Sequence, residues 1–147
     1  MSYPTKQALL QWANNYPLLW NAGDKDAWIA NWHSVASGEF RMLDPVGTPE
    51  KVGFKACCAD SWDLFQPRVR FRILPGTLFV CANEVAWCLE NHFEGPDGAQ
   101  MQFSVETYLF GDDTSVNIRT YYRVPTHENE NLGDIFQEYL PENREGL

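Results

Sequence analysis

The spacing of apolar residues changes once along this chain, near residue 68, and that change constrains the fold more than any other feature. Before it, apolar residues such as Leu9, Trp12 and Tyr16 recur every three or four positions, which is the period of an amphipathic helix. After it, arginine alternates with Val, Phe or Ile over residues 68–73, which is the period of a strand with one wet face. Helices followed by strands predict an α+β domain.

The first half of the chain predicts three helices and one short strand. The helices cover residues 5–21, 24–36 and 51–65, and the strand covers residues 40–43. Gly23 suits the turn that closes the first helix, and Asp24 suits the N-cap of the second. Pro17 removes a backbone donor inside the first helix and predicts a kink there.

The second half predicts a strand meander. After the strand that starts at residue 68, further strands are expected at residues 77–81, 85–94, 100–110 and 115–124, separated by short turns. Short turns place successive strands side by side and antiparallel. The predicted architecture is therefore α+β, with three N-terminal helices packed on a curved, mostly antiparallel sheet that forms a cone-shaped pocket.

The length of the chain suits one domain with a tail. A chain of 147 residues is typical of a single domain, which we place at residues 1–124. The remaining residues, 125–147, are acidic, yet apolar residues recur in them at helical spacing: Leu132, Ile135, Phe136, Tyr139 and Leu140. The tail therefore predicts a short amphipathic helix.

Aromatic content and charge narrow the choice of partners. Aromatic residues make up 14% of the chain, including six Trp, which is enough to line a cavity for an apolar ligand as well as to fill a core. The formal net charge is −9, and such a surface repels phosphate groups. We therefore expect a small-molecule ligand, with no nucleic acid and no membrane as partner.

The cysteines and histidines predict no metal site. Cys57, Cys58, Cys81 and Cys88 form no C-x-x-C pair, and the histidines show no ligand spacing with them. All four cysteines lie in apolar runs, so we expect reduced core residues and no cofactor. The N-terminus lacks the features of a signal peptide, which makes a cytoplasmic protein the expectation.

Three ionisable residues lie in segments that are rich in apolar residues: Tyr16, Asp44 and Glu106. A carboxyl group on a buried face must be paired, or its pKa rises until it is neutral. Each residue also has a structural interpretation. Asp44 can form a turn with the proline that follows it, Tyr16 can be a core residue with its hydroxyl at the surface, and Glu106 can face water.

Three segments resemble the ketosteroid isomerases, which belong to the nuclear-transport-factor-2-like, or SnoaL-like, superfamily. They are N-A-G-D-K-D-A at residues 21–27, L-D-P-V-G at 43–47 and A-N-E-V-A at 82–86. The resemblance implies that Asp44 is the general base and that Tyr16 donates a hydrogen bond to the substrate oxygen. It implies a second donor at Glu106, where the family has aspartic acid.

The resemblance also implies an aromatic pocket wall and a substrate class. Trp32 and Tyr122 match aromatic positions of the family's pocket, and the expected wall includes further residues: Trp62, Trp87, Leu89, Phe93, Tyr108 and Ile118. The implied activity is a double-bond shift next to a ketone, in a steroid or polycyclic ketone. A homodimer formed through the convex face of the sheet is implied in the same way.

Two other functions fit the same scaffold. A SnoaL-like polyketide cyclase or a dehydratase also begins by removing a proton next to a carbonyl group, and the dehydratase would require a histidine in the pocket. His92 is expected on the strand face opposite Trp87 and Leu89, and His33 follows Trp32 on a helix. A non-catalytic binder of small molecules is the second alternative, because fold alone does not fix function.

Overall fold

The computed structural model of the protein describes residues 2–95 and 98–123. In this part of the chain, three helices pack on a curved, mostly antiparallel and unclosed sheet, which confirms the predicted α+β architecture. The helices are α1 (Lys6–Ala22), α2 (Lys25–His33) and α3 (Asp60–Phe65). The strands are β1 (Phe40–Leu43), β2 (Lys51–Val52), β3 (Val69–Ile73), β4 (Phe79–Cys81), β5 (Glu84–Gly95), β6 (Gly98–Phe110) and β7 (Val116–Tyr122). The predicted tail helix lies outside the described residues.

The ends of the first two helices follow from local side chains. The Thr5 hydroxyl accepts the backbone N–H of Ala8 at 3.1 Å and starts α1, and Gly23 closes it at a φ of 72°. The Asp24 carboxylate then accepts the N–H of Ala27 at 3.1 Å and starts α2. Pro17 lies inside α1, which continues through it to Ala22.

The helix predicted over residues 51–65 is wrong in its first half. Lys51 and Val52 form β2, which pairs antiparallel with β1. Gly53, at a φ of 95°, then turns the chain into a π-helical turn (Lys55–Ala59) that leads into α3. A π turn is wider than an α turn, and here it buries the neighbouring side chains Cys57 and Cys58.

The sheet is more complex than a meander. Its order is β2-β1-β7-β6-β5-β3, and β4 also pairs with β5. The strands β4, β5, β6 and β7 follow one another as antiparallel neighbours, as the predicted meander requires. The strand β3 instead pairs with β5, and β1 runs parallel to β7. The β5 strand spans 12 residues, so one edge can hold β3 along residues 89–93 and β4 along residues 84–86.

The concave face of the sheet carries the core. Alternate residues of β5 and β6 point toward the helices and are buried, among them Val85, Trp87, Leu89, Gln102, Ser104, Tyr108 and Phe110. Trp12 of α1 is fully buried and lies 4.9 Å from Tyr108 and 5.3 Å from Trp87, measured between ring centroids. The helices and the sheet therefore meet through aromatic rings.

The convex face is partly apolar and carries two of the cysteines. Val105 and Tyr121 are 44% and 42% exposed there. Cys88 is partly exposed and Cys81 is exposed, so the prediction of four core cysteines holds only for Cys57 and Cys58. Cys81 points away from the core because it ends a short edge strand beside a turn. None of the helices in the described residues is long and apolar enough to cross a membrane.

Candidate active site

Tyr16, Asp44 and Glu106 come from different elements and line one cavity. Tyr16 lies on the buried stripe of α1, and its ring packs 5.3 Å from Trp87 and 6.4 Å from Tyr108 on the concave face. Asp44 directly follows β1, which pairs in parallel with β7. Glu106 points inward from β6, so the structure does not support the interpretation that it faces water.

Glu106 is held in the wall of the cavity by its cross-strand neighbour. Glu106 and Trp87 are directly opposite in the β5–β6 register, and the indole N–H of Trp87 donates to the Glu106 carboxyl at 2.9 Å. Burial raises the pKa of Glu106 from its ordinary 4.5 to about 7, and the charge of Asp44 adds to this rise. The hydrogen bonds from Trp87 and Tyr108 oppose the rise in pKa only in part. Glu106 is therefore a carboxyl group that holds a proton near neutral pH.

Two tyrosine hydroxyls lie beside this carboxyl group. Tyr108 hydrogen-bonds to Tyr16 and to Glu106, which connects the three side chains. Burial raises the pKa of both tyrosines well above the usual value, and the nearby Glu106 charge raises both pKa values further. Both hydroxyls therefore keep their protons. Tyr108 donates its hydrogen within this group, which leaves the Tyr16 hydroxyl able to donate a hydrogen bond to an oxygen atom in the cavity.

Asp44 occupies a turn that is anchored to β7. The Asp44–Pro45 peptide bond is cis. The N–H of Val46 donates to the carbonyl of Thr120 at 2.9 Å, and the Tyr122 hydroxyl donates to the Asp44 carboxylate at 3.0 Å. Asp44 thus forms a turn, as its sequence context indicates, and also presents its carboxylate to the cavity.

A lysine lies on the same side of the sheet as Asp44. Lys51 is directly opposite Met42 in the β1–β2 register, and directly opposite residues share a face. Met42 lines the cavity, so Lys51 also faces this side. Burial lowers the pKa of the Lys51 ammonium group, and the charge of Asp44 opposes that effect. Lys51 therefore contributes positive charge near Asp44.

The predicted pocket wall is present in part. Trp32, Leu89, Tyr108, Ile118 and Tyr122 line the cavity. The other predicted wall residues, Trp62, Trp87 and Phe93, are buried but are not among the lining residues.

Each of these three residues has another position. Trp62 packs behind the wall, 5.1 Å from Trp20 and 5.0 Å from Trp28 between ring centroids. Trp87 donates a hydrogen bond from its indole N–H to the Glu106 carboxyl group. Phe93 lies further along β5, opposite Val69 of β3.

Neither described histidine reaches the cavity. His33 is exposed at the end of α2, where its Nδ1 lies 3.3 Å from the carbonyl of Ala36. His92 is exposed on the outer face of the sheet, as its position in β5 predicts, and lies 2.9 Å from the Glu90 carboxylate. Among the residues that the structure describes, the cavity thus lacks the histidine that a dehydratase would require.

The cavity is narrow in this conformation. Its volume is about 60 Å³, whereas pockets for drug-sized ligands usually measure roughly 300–1,000 Å³. Most lining residues are aromatic or aliphatic, and Asp44 and Glu106 are the carboxyl groups among them. The cavity is therefore smaller in this conformation than a drug-sized ligand requires.

Comparisons with known proteins support the fold. No family model matches the sequence, and no curated protein matches it. The epoxide hydrolase/cyclase-like enzyme SalBIII, which has a role in pyran ring formation in the polyether salinomycin, gives a TM-score of 0.65 at 17% identity, over 81% of this chain and 93% of that chain. The Δ5-3-ketosteroid isomerase from Mycobacterium sp. gives 0.57 at 23% identity, over 79% and 93%. RV0760c from Mycobacterium tuberculosis, in complex with estradiol-17β-hemisuccinate, gives 0.58 at 19% identity, over 80% and 95%.

The chain has the nuclear-transport-factor-2-like, or SnoaL-like, fold. The family resemblance of the sequence is thereby confirmed for the fold.

Several residues that line the cavity of this nuclear-transport-factor-2-like chain were not predicted from the sequence. They are Trp20, Trp28, Met42, Cys57, Cys58, Ser61, Phe65, Val69, Phe71, Asn91 and Ser104. Trp20 and Trp28 share the buried helix stripes with Tyr16 and Trp32, and Ser104 shares the strand face of Glu106. The same periodicity that selected the predicted residues could have found these three.

Proposed function

We propose that this protein is an enzyme that shifts a double bond next to a ketone by intramolecular proton transfer, as ketosteroid isomerases do. The observation that carries the proposal is the pair of carboxyl groups in one apolar cavity, in two different environments. Asp44 stands in a turn beside Lys51 and accepts a hydrogen bond from Tyr122. Glu106 is enclosed among aromatic rings, and its pKa is raised to about 7. Carboxyl groups in contrasting environments suit separate acid and base roles.

In this proposal, Asp44 moves the proton. Its ionised carboxylate removes the proton from the carbon next to the ketone and returns it further along the ligand, where the new C–H bond forms. Electron density passes to the ketone oxygen, which becomes the oxygen of a dienolate. The Tyr122 hydroxyl donates a hydrogen bond to the Asp44 carboxylate, and Lys51 lies near enough for its ammonium group to interact with the charge of Asp44.

The second half of the mechanism stabilises the dienolate oxygen. Tyr16 and Glu106 are the donors to that oxygen in this proposal, and Tyr108 lies between them in the hydrogen-bonded group. A carboxylic acid donates only while it is protonated, and burial of Glu106 maintains that state near neutral pH. Donors fixed in an apolar cavity stabilise developing charge more strongly than water does, because they need little reorganisation.

The substrate class follows from the walls of the cavity. Aromatic and aliphatic side chains favour an apolar, neutral ligand, which we propose to be a steroid or another polycyclic ketone. The comparison with a Δ5-3-ketosteroid isomerase supports this choice. Since the cavity is narrow, binding requires movement of lining rings, and the tryptophans among them report it by fluorescence.

The test is turnover of a Δ5-3-ketosteroid, followed by the ultraviolet absorbance of the conjugated product. We expect conjugation at a rate that equilenin, a phenol that mimics the dienolate, inhibits competitively. Binding of equilenin, seen as a change in tryptophan fluorescence, without turnover of the enone would contradict the isomerase proposal. That result would indicate a non-catalytic binder.

A second candidate function is ring closure on an epoxide, and the same carboxyl pair supports it. In that reaction, a hydroxyl oxygen of the substrate attacks an epoxide carbon, and the carbon–oxygen bond of the epoxide breaks. Glu106 would give its proton to the epoxide oxygen, and Asp44 would take the proton from the attacking hydroxyl group. The similarity to SalBIII supports this candidate.

The two candidates differ in their dependence on Glu106. Glutamine at this position can still donate a hydrogen bond to a dienolate oxygen but cannot give a proton to an epoxide. A Glu106→Gln variant that retains enone conjugation therefore favours the isomerase. If the wild-type protein opens the epoxide of an epoxy-alcohol and the Glu106→Gln variant does not, the result favours the cyclase.

We also propose that the protein forms a homodimer through the convex face of the sheet. Exposed apolar side chains on this face, Val105, Leu109 and Tyr121, support the proposal. Sedimentation of the wild-type protein and of a Val105→Glu variant tests it. A wild-type protein that sediments as a monomer would contradict the proposed dimer.

A further inference from the structure

A polar pair lies on the cavity wall, apart from Tyr16, Asp44 and Glu106. Asn91 of β5 and Ser104 of β6 both line the cavity and are 6% and 2% exposed. The amide nitrogen of Asn91 donates to the backbone carbonyl of Gln102 at 2.9 Å and to the Ser104 hydroxyl at 3.0 Å. These two bonds use both hydrogens of the amide.

The Gln102 carbonyl fixes the orientation of the Asn91 amide. A carbonyl oxygen can only accept, so the nitrogen of Asn91 must face Gln102 and the amide oxygen must point elsewhere. Within the part of the chain that the structure describes, the amide oxygen of Asn91 has no donor, and the Ser104 hydroxyl hydrogen has no acceptor. Both side chains line the cavity, so these two positions can be filled by a ligand bound there.

The two open positions match one chemical group. The amide oxygen of Asn91 accepts a hydrogen bond, and the Ser104 hydroxyl donates one. An alcohol on a ligand can do both at once, by donating to Asn91 and accepting from Ser104. A ketone would use only Ser104, and a carboxylate would face the partial negative charge of the Asn91 oxygen.

The sheet sets the distance between this pair and the reacting end. Ser104 is two residues from Glu106 on the same face of β6, which is ~7 Å along the strand. Asn91 lies directly opposite Gln102, which is two residues further from Glu106 than Ser104 is. The backbone of Asn91 is therefore about another 7 Å from Glu106 along the strand. Both side chains belong to the long central strands, so ring movements that open the cavity leave them in place.

We propose that Asn91 and Ser104 form a second polar subsite, which binds a hydroxyl group at the end of the ligand remote from the reacting carbonyl. This inference rests on the proposed function for its orientation, because the ketone is placed at Tyr16 and Glu106. It narrows the substrate class from apolar polycyclic ketones to hydroxylated ones.

The experiment compares two probes that differ only at the remote end. Estradiol carries a phenol at one end and a 17-hydroxyl group at the other, and 17-deoxyestradiol lacks the latter. With binding measured by quenching of tryptophan fluorescence, we expect the wild-type protein to bind estradiol about five- to tenfold more tightly, as one satisfied hydrogen-bonded group provides. Ser104→Ala should bring the ratio of the two affinities close to one.

A serine away from the cavity is the matched control. Ser37 is exposed in the loop before β1, so Ser37→Ala should keep the wild-type ratio of affinities. Equal affinities of the wild-type protein for the two probes would overturn the subsite while leaving the isomerase proposal intact. Loss of binding of both probes would overturn both proposals. If the wild-type protein binds estradiol more tightly than 17-deoxyestradiol but does not convert an enone, the result would contradict the isomerase proposal and leave the subsite proposal intact.

Discussion

Asp44 and Glu106 share one cavity but are held in it in contrasting ways. Asp44 lies in a turn at the end of β1, near a lysine, and its hydrogen-bond donor is the Tyr122 hydroxyl. Glu106 lies in the middle of the longest strand among aromatic rings, and burial raises its pKa to about 7. In the proposed function, the same functional group removes a proton in one position and donates a hydrogen bond in the other. Location in the fold, more than residue type, separates the two roles.

The largest effect is expected at the base. Asp44→Asn removes the group that accepts the proton, and we expect the rate of enone conjugation to fall roughly 10²–10⁴-fold. Initial rates by ultraviolet absorbance measure the effect. Asp112→Asn, in the exposed turn between β6 and β7, is the matched control and should leave the rate unchanged. An equal rate for the Asp44→Asn variant and the wild-type protein would remove Asp44 from the proposed role.

Substitutions of Glu106 should have the next largest effect. Glu106→Ala removes one donor to the dienolate oxygen, and we expect kcat to fall roughly 10²–10³-fold. Glu106→Gln keeps an N–H donor and should lose less activity than the alanine variant. If the glutamine variant is the more severely impaired of the two in the same assay, Glu106 gives up its proton during the reaction, which contradicts the donor role.

Stability should depend on pH through Glu106. Between pH 4.5 and about 7, the folded protein holds a proton on Glu106 that the unfolded chain has released. The free energy of unfolding therefore falls as pH rises through this range, by about 3 kcal/mol at most from this group.

Urea unfolding of the wild-type protein and the Glu106→Gln variant at several pH values isolates this contribution. Relative to wild type, the variant should gain stability as pH rises from 4.5 to 7. A difference between the two proteins that stays constant across this range would show that the pKa of Glu106 is not raised.

The smallest effects are expected from the hydrogen-bond donors to the two carboxyl groups. The Trp87 N–H favours the ionised form of Glu106, so Trp87→Phe should raise the pKa of Glu106 further, by about one unit. The pH at which activity falls because Glu106 ionises would then be higher than in the wild-type protein. Tyr122→Phe should instead lower the rate about fivefold without moving that pH limit, because the Tyr122 hydroxyl donates its hydrogen bond to Asp44. Rate profiles from pH 5 to pH 9 distinguish these outcomes.

Periodicity predicted the part of the site that depends on local structure. The helical spacing of α1 placed Tyr16 on the buried face, and the segment after β1 placed Asp44 in a turn. The orientation of Glu106 was left open, because both faces of its strand contain apolar residues. The cross-strand register with Trp87 decides it, and that register involves residues far apart in the sequence.

Two predicted wall residues lie away from the cavity. Trp62 is predicted on the pocket wall as part of one long helix, but Gly53 and a π-helical turn interrupt that helix, and Trp62 packs against Trp20 and Trp28 behind the wall. Phe93 shares a strand face with Leu89 but lies beyond the cavity, since periodicity gives the face and not the extent of the pocket. The position of Asn91 in the cavity does not follow from the sequence, because a polar side chain in an apolar strand gives no sign of lining a pocket.

The protonation state of the two carboxyl groups at neutral pH is the most direct test. Infrared difference spectra between the wild-type protein and its Glu106→Gln and Asp44→Asn variants assign the stretching bands of each carboxyl group. We expect a protonated carboxylic acid band at pH 6 that Glu106→Gln removes and that fades as pH passes about 7. Asp44→Asn should leave this band in place. Glu106 fully ionised at pH 6, or the proton on Asp44 instead, would contradict the account.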